Sequence, residues 1–159
     1  MTLEQLNVLD DFSRAELLHD CCGSRVWVEN MLCGFPIPDA QTLYTNASKV
    51  WRACAESDWR EAFTHHPAIG AKTTDARAAA EQAGAQSASR DILEALTAAN
   101  QQYQQKFGYI YIVCATGKSA QEMLTIVQAR LGNPPEKELL IAMGEQEKIT
   151  RIRLEKLLS

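Results

Sequence analysis

The stretch of sequence that decides the fold runs from Ser89 to Ala115 and reads SRDILEALTAANQQYQQKFGYIYIVCA. Its first part places apolar residues at helical spacing behind Ser89, a residue type that often caps a helix. Gly108 follows Phe107, and glycine commonly ends a helix in the left-handed conformation. The β-branched and aromatic run over residues 109–115 favours a strand. Because a single strand has no partner here, we predict an extended segment threaded between helices.

The backbone of this extended segment needs hydrogen-bond partners that a sheet would otherwise supply, since buried N–H and C=O groups are nearly always paired. Exposed amides and carbonyls of this kind are suited to holding a planar ligand rich in heteroatoms. A short buried strand or an irregular helix start fits the local sequence equally well. The segment is therefore a candidate ligand contact, with both structural alternatives left open.

Helix start and stop signals divide the rest of the chain. Thr2 with Gln5, and Ser13 with Glu16, each form a capping-box pattern ahead of apolar residues. Glycine and proline breaks separate the patterns that follow. We predict helices over residues 13–22, 25–33, 39–54, 58–65, 76–83, 90–107, 119–131 and 135–158.

Length, charge and cysteine content narrow the class of protein. A chain of 159 residues predicts one domain, residues 1–159, with a core that needs no disulfides. Its net charge of −4, with both signs interleaved, argues against nucleic acid or an anionic membrane as a partner. The first residues lack the pattern of a signal peptide, and no apolar run approaches the roughly 20 residues that span a bilayer. Five cysteines without a Cys-x-x-Cys pair predict neither a disulfide framework nor a zinc site, and favour a cytoplasmic protein.

Two adjacent histidines followed by a proline form the first candidate for chemistry. Histidine is the side chain most easily used for proton transfer near neutral pH. Pro67 biases the backbone of His66 toward extended geometry, so the imidazole stands at a stiff corner. A structural histidine near a helix end is the alternative for His66. His65 is the weaker candidate, and His19 has no partner motif.

An acidic and a basic residue complete the candidates drawn from the residues. Glu81 follows His66 by 15 positions, and a carboxylate near an imidazole orients it and raises its pKa. Arg151 and Arg153 point about 200° apart on a helix, so at most one of them faces a buried site. A buried guanidinium there would indicate an anionic substrate. A solvated glutamate and a surface arginine are the alternatives.

Three other patterns carry less weight. Gly117-Lys118-Ser119 resembles a phosphate loop, but Ile112 stands where the first glycine of that motif belongs. Cys114 fits a buried structural cysteine better than a nucleophile. A metal site at His65, His66 and Cys54 lacks a usable ligand spacing.

Taken together, four motifs resemble the family of 2-oxo-4-hydroxy-4-carboxy-5-ureidoimidazoline (OHCU) decarboxylases, which act last on the route from uric acid to allantoin. The motifs occur in matching order, and the resemblance spans residues from about 10 to 158. The Lys-Phe-Gly to Gly-Lys-Ser block is the most specific of them. They read FTHHPAIG from Phe63, EQAG from Glu81, YQQKFGYIYIVCATGKS from Tyr103, and the stretch from Glu138 to Leu154.

The resemblance implies an all-α, single-domain bundle of about seven to nine helices with one extended segment near residues 109–115. It implies a homodimer, a small-molecule substrate, and no metal or organic cofactor. His66 and Glu81 become the catalytic residues. The implied substrate contacts are Pro67, Ala78, Gln82, the backbone of Tyr111, Ile112, Val113, Cys114 and Ala115, and the side chain of Arg153.

One departure from the family and two rival functions remain. The family often has serine at the position of Ala78, so one hydrogen bond to the substrate is missing or replaced by Gln82 or water. A helical adaptor that binds a partner helix in an apolar groove is one rival. A transthyretin-like hydrolase of the preceding step is another, and its β-rich fold does not fit this chain.

Overall fold

Residues 1–69, 80–81, 83 and 89–159 are described by a computed structural model. The chain divides into two compact units, the first formed by Met1–Phe63 with Gln146–Ser159 and the second by Thr64–Glu145. The described residues form eight complete helices, with further helical residues at Ala80, Glu81 and Ala83, and no strand. The all-α prediction is therefore confirmed, while the single domain over residues 1–159 stays a prediction.

The first unit contains five complete helices and the last part of a long one. Thr2 caps the first helix with the predicted capping box, in which its hydroxyl accepts from Gln5 and the Gln5 side chain accepts from Thr2. Trp27 is fully buried and donates its indole N–H to the carbonyl of Ala47 at 3.1 Å. The helices are α1 (Leu3–Val8), α2 (Asp11–Cys21), α3 (Arg25–Leu32), α4 (Ala40–Ala53) and α5 (Glu56–Phe63).

Two of the predicted helices in this unit have wrong boundaries. Asp10, not Ser13, caps α2, because the Asp10 carboxylate accepts from both the backbone N–H and the hydroxyl of Ser13. The helix predicted over residues 58–65 begins at Glu56 and ends at Phe63. Ser24 caps α3 and Asp39 caps α4, each with a side chain that accepts from the backbone N–H three residues further on.

The second unit is built on α6 (Arg90–Phe107), α7 (Ala120–Arg130) and the first part of α8 (Pro135–Leu157). Ser89 caps α6 as predicted, and Ser119, predicted as the first residue of a helix, caps α7 instead. Gly108 ends α6 with a φ of 82°, a left-handed conformation in which a side chain would be strained. Of the helix predicted over residues 76–83, Ala80, Glu81 and Ala83 are helical, and the rest lies outside the described residues.

The stretch after Gly108 has neither helical nor strand hydrogen bonding and is almost wholly buried. Residues 109–115, which keep the name extended segment, therefore form the predicted non-helical stretch between α6 and α7, with a bend at Tyr109. Tyr111 donates its hydroxyl to the carbonyl of Met123 at 3.0 Å, which attaches the segment to α7. The segment lies within the second unit, where its backbone groups meet charged side chains.

Within the part of the chain described here, no helix is both long enough and apolar enough to cross a bilayer. All five cysteines are free thiols, and Cys33 is the exposed one among them.

Candidate functional site

The His-Pro corner distinguishes the two adjacent histidines by burial. His65 is exposed, whereas His66 and Pro67 are half-buried. Ile69, at the end of the corner, is 6% exposed, and its carbonyl accepts from the side-chain amide of Asn100 at 3.0 Å. The corner is thus fixed to α6, and His66 is the imidazole that it partly shields from water.

Asn100, which no sequence motif indicated, is a further candidate site residue. Its side chain is 7% exposed, and its Oδ1 has no hydrogen-bond partner among the described groups. Only the burial of Asn100 on the inner face of α6 distinguishes it from the polar residues around it. An unused buried acceptor beside the corner is a group that a ligand or water can satisfy.

The structure describes only part of the EQAG motif that begins at Glu81. Glu81 is helical and half-buried. The predicted substrate contacts Ala78 and Gln82 lie outside the described residues.

Three charged side chains bind the backbone of the extended segment. The Arg130 guanidinium donates to the carbonyl of Ile112 at 2.7 Å. The Glu145 carboxylate accepts from the N–H of Cys114 at 3.3 Å. The Lys118 ammonium donates to the carbonyl of Cys114 at 2.8 Å, which gives the lysine of Gly117-Lys118-Ser119 a contact unrelated to phosphate binding.

The backbone N–H and C=O of Tyr111, which is 1% exposed, have no hydrogen-bond partner in the described part of the chain. Val113, which lies between the attachments at Ile112 and Cys114, is in the same state and is 3% exposed. Because unpaired buried backbone groups are rare, such a pair indicates a position where a ligand or ordered water completes the bonding. The sequence-based expectation that this backbone contacts a ligand therefore has candidates at Tyr111 and Val113, and Val113 is the one flanked on both sides by attached peptide groups.

Arg130 belongs to a buried network of ionic and polar side chains. Arg130 is 6% and Glu138 0% exposed, and the two side chains meet at 2.6 Å. The hydroxyl of Tyr103 donates to Glu138 at 2.7 Å, and Asn133 donates to it at 3.0 Å. Burial, together with the hydrogen bond to Glu138, raises the pKa of the Tyr103 phenol far above its usual value, so the phenol keeps its proton.

The network also contacts the side chain of Tyr111 in the extended segment. The Arg130 guanidinium lies 5.0 Å from the centre of the Tyr111 ring and 5.7 Å from that of Tyr103. Burial likewise raises the pKa of the Tyr111 phenol. One arginine therefore fixes both the backbone of the segment and an aromatic side chain on it.

The two arginines near the end of α8 differ in burial as the helical geometry requires. Arg153 is 8% exposed, and its guanidinium donates to the carbonyl of Asp20 at 3.4 Å. Arg151 is exposed, pairs with Glu155 at 2.6 Å and stacks over the ring of Tyr44 at 3.9 Å. Arg153 is thus the buried member of the pair.

Charged side chains surround the predicted backbone contacts of the extended segment. Within the second unit, the backbone of residues 111–115 meets Lys118, Arg130 and Glu145, which the sequence analysis did not assign to the site. Glu145 lies within the motif from Glu138 to Leu154, but its contact with Cys114, 31 residues away, has no local signal. Among the described residues, no group of three or more His, Cys, Asp or Glu side chains is arranged to hold a metal ion.

Comparisons with known proteins give a consistent result. The family model described as OHCU decarboxylase matches residues 7–155. A solved structure of an OHCU decarboxylase in the presence of (S)-allantoin is 33% identical, with a TM-score of 0.82 over 94% of this chain and 99% of that one.

Curated relatives extend the comparison to a plant and an archaeon. The uric acid degradation bifunctional protein TTL of Arabidopsis thaliana is 37% identical over 87% of this chain and 45% of its own length. The 2-oxo-4-hydroxy-4-carboxy-5-ureidoimidazoline decarboxylase of Haloferax volcanii is 25% identical over 97% of this chain and 94% of its own length. The chain thus spans less than half of the plant relative and most of the archaeal one.

Proposed function

The chain belongs to the OHCU decarboxylase family, and from that premise we propose that it is a carboxy-lyase converting OHCU to (S)-allantoin and CO2 in the last step of urate degradation. The observation that carries this proposal is the family match over residues 7–155. The adaptor alternative has no comparable support. The hydrolase alternative needs a β-rich fold, and the described residues contain no strand.

The backbone of the extended segment is proposed to hold the substrate ring. In extended backbone, the N–H and C=O of one residue lie on the same edge, as they do in a hydrogen-bonded pair of antiparallel strands. A ring that carries an N–H beside a C=O is complementary to such an edge. Val113 supports this role because its buried N–H and C=O have no partner in the described part of the chain.

The reaction breaks the bond between C4 of the substrate and its carboxyl group. The electron pair moves from C4 into the conjugated imine of the ring, so no electron-sink cofactor is needed. The 4-hydroxyl gives up its proton as its oxygen becomes a carbonyl, and C5 gains a proton on one face to give the (S) product. The ring nitrogen of the former imine, which receives the electron pair, also takes up a proton, so the carboxylate form of the substrate consumes one proton from solution in the overall reaction.

His66 is proposed to move the proton at the 4-hydroxyl, with Glu81 orienting the imidazole. A positioned acid–base group typically accelerates a reaction by about 10²–10⁴-fold. The half-buried state of His66 beside an exposed His65 supports the choice between the two. The remaining acceleration would come from fixed hydrogen-bond donors around the developing charge.

The other substrate contacts follow from the family resemblance. Arg153 is proposed to hold an anionic or carbonyl group of the substrate, and its burial supports that choice over Arg151. Pro67 and Gln82 are proposed as further contacts. At Ala78, where the family often has serine, Gln82 or water would supply the missing hydrogen bond.

The assembly and location of the protein are also proposed from the resemblance and the sequence. We infer one catalytic domain over residues 1–159 that acts as a cytoplasmic homodimer. The five free thiols support a reducing compartment. Light scattering during size-exclusion chromatography tests the dimer, which requires twice the chain mass of 17.7 kDa.

The decarboxylase proposal is tested with freshly generated OHCU. Hydroxyisourate and its hydrolase produce OHCU, which decays slowly to racemic allantoin without a catalyst. Addition of this protein should speed the loss of ultraviolet absorbance and give an optically active product. An unchanged decay rate with a racemic product would exclude the activity and favour the adaptor alternative.

A further inference from the structure

We propose that Arg130 and Glu145 are positioning residues that orient and polarise the two peptide groups on either side of the Val113 Cα. This inference rests on the proposed function, in which the N–H and C=O of Val113 bind the substrate ring. It adds to that function two side chains that the family resemblance did not assign.

Arg130 acts on the first of the two peptide groups. A peptide group is planar and trans, so its C=O and N–H point in opposite directions. Arg130 donates to the carbonyl of Ile112 at 2.7 Å, and the N–H on the other side of that peptide belongs to Val113. Fixing the Ile112 carbonyl therefore fixes the direction of the Val113 N–H.

Glu145 acts on the second peptide group in the complementary way. Its carboxylate accepts from the N–H of Cys114 at 3.3 Å, and the carbonyl on the other side of that peptide belongs to Val113. Fixing the Cys114 N–H therefore fixes the direction of the Val113 C=O. Both groups of Val113 are aimed by side chains that bind the opposite sides of its peptides.

The charges of the two side chains have the signs that strengthen Val113 as a binding group. Hydrogen-bonded groups in a chain polarise one another, most strongly at low local dielectric. A cation at the Ile112 carbonyl makes the Val113 N–H a better donor. An anion at the Cys114 N–H makes the Val113 C=O a better acceptor. A cyclic ureide, which carries N–H and C=O groups side by side, is the ligand class that such a pair favours.

Packing holds both side chains in place before a ligand binds. Arg130 is 6% and Glu145 8% exposed, and Arg130 is further fixed by Glu138 at 2.6 Å. Buried side chains with fixed partners lose little freedom on binding, which is the requirement for a preorganised site. The extended segment is thus held at Val113 by two charged groups that the ligand itself need not touch.

Two substitutions at Glu145 test the inference. Glu145→Leu removes the acceptor at similar size, and Glu145→Gln keeps an acceptor without the charge. Glu147 lies on the same helix and pairs with Arg52 at 3.1 Å, so Glu147→Leu and Glu147→Gln are matched controls. The readouts are KM for OHCU and the Kd of the product (S)-allantoin, measured by calorimetry without turnover.

Glu145→Leu should raise both KM and Kd by about tenfold, the effect of losing one hydrogen bond to a charged group. Glu145→Gln should fall between Glu145→Leu and the wild type, and the Glu147 controls should match the wild type. A residue with a purely structural role would instead reduce the fraction of active enzyme, lowering the maximal rate at unchanged KM. Wild-type KM and Kd in Glu145→Leu would overturn the proposal.

Arg130→Lys is the second test, because complete removal of Arg130 would leave the Glu138 carboxylate buried without its cation. Arg130→Lys should raise KM for OHCU and the Kd of (S)-allantoin, as Glu145→Leu does, and unchanged values would count against the proposal.

The proposed function and the positioning role fail in different ways. If the wild type neither decarboxylates OHCU nor binds (S)-allantoin, the proposed function fails, and this inference with it. If the wild type does both and the Glu145 variants match it, only the positioning role fails.

Discussion

The Arg130 guanidinium and the Glu138 carboxylate form an ion pair at 2.6 Å in which the arginine side chain is 7% and the glutamate side chain 0% exposed. A buried charge is tolerated only when a partner of opposite sign and hydrogen bonds replace its water. Tyr103 and Asn133 supply further hydrogen bonds to Glu138. The pair therefore attaches the extended segment to α7 and α8 through a fully satisfied network.

Breaking this pair on one side should be costly to stability. Glu138→Leu leaves the Arg130 charge buried without its partner, and the free energy of unfolding should fall by about 3–5 kcal/mol. The exposed pair Arg151–Glu155 has the same 2.6 Å separation, so Glu155→Leu is a matched control with an expected loss below about 1 kcal/mol. Urea denaturation at neutral pH measures both losses. Equal losses would show that burial does not govern the contribution of the pair.

Substitution at His66 should remove most of the catalysis without unfolding the protein. His66→Asn should lower kcat for OHCU by about 10²–10⁴-fold, the usual contribution of a positioned acid–base group. His65→Asn is the matched control, since His65 is exposed and should be dispensable. Circular dichroism checks that both variants keep their helical content. Near-normal turnover by His66→Asn would remove His66 from the mechanism.

The buried and exposed arginines of α8 should differ in their effect on substrate binding. Arg153→Lys keeps the charge but loses the guanidinium fork, so KM for OHCU should rise by about tenfold. Arg151→Lys, at an exposed position, should leave KM unchanged. Steady-state kinetics of the two variants gives the comparison. An equal effect of both substitutions would contradict the assignment of Arg153.

Lys118 should contribute to the geometry of the extended segment through the carbonyl of Cys114. Lys118→Met removes this contact of 2.8 Å and should raise KM several-fold, to about the extent expected of one hydrogen bond to a charged group. Lys106 makes the same kind of contact with the carbonyls of Leu131 and Asn133, so Lys106→Met is the matched control. Inorganic phosphate should bind neither variant nor the wild type, because the phosphate-loop spacing is absent. Steady-state kinetics gives KM for both lysine variants. Equal KM values would refute this role of Lys118.

Stability should fall as the pH rises above about 9. Burial raises the pKa of the Cys22 thiol from 9.0 to about 12, and that of Cys54 from 9.0 to about 11. Between pH 9 and the pKa of each thiol in the folded protein, the unfolded chain loses thiol protons that the folded chain keeps. The stabilisation is therefore complete below pH 9 and is lost as the pH rises toward about 11 for Cys54 and about 12 for Cys22. Urea midpoints across this range should decline less steeply for Cys22→Ala than for the wild type. Cys33→Ala, at an exposed thiol, should keep the wild-type slope.

Local sequence signals were sufficient for most of the secondary structure. The boundaries of α6 follow from Ser89 at one end and Gly108 at the other, because a cap and a left-handed glycine act on neighbouring residues. The error at α2 has the same origin. Asp10 and Ser13 are both residue types that cap helices well, so the local sequence does not decide at which of them α2 begins.

By itself, the sequence determined an all-α chain with one extended segment, and its motifs determined the family. Only the tertiary structure decided which histidine is shielded, which arginine is buried, and which side chains hold the extended segment. Arg130 and Ile112 are 18 residues apart, and Glu145 and Cys114 are 31 apart. Contacts over such distances have no local pattern, because packing selects them from many chemically similar side chains. The secondary structure was therefore predictable from neighbouring residues, whereas the arrangement around Val113 required the fold.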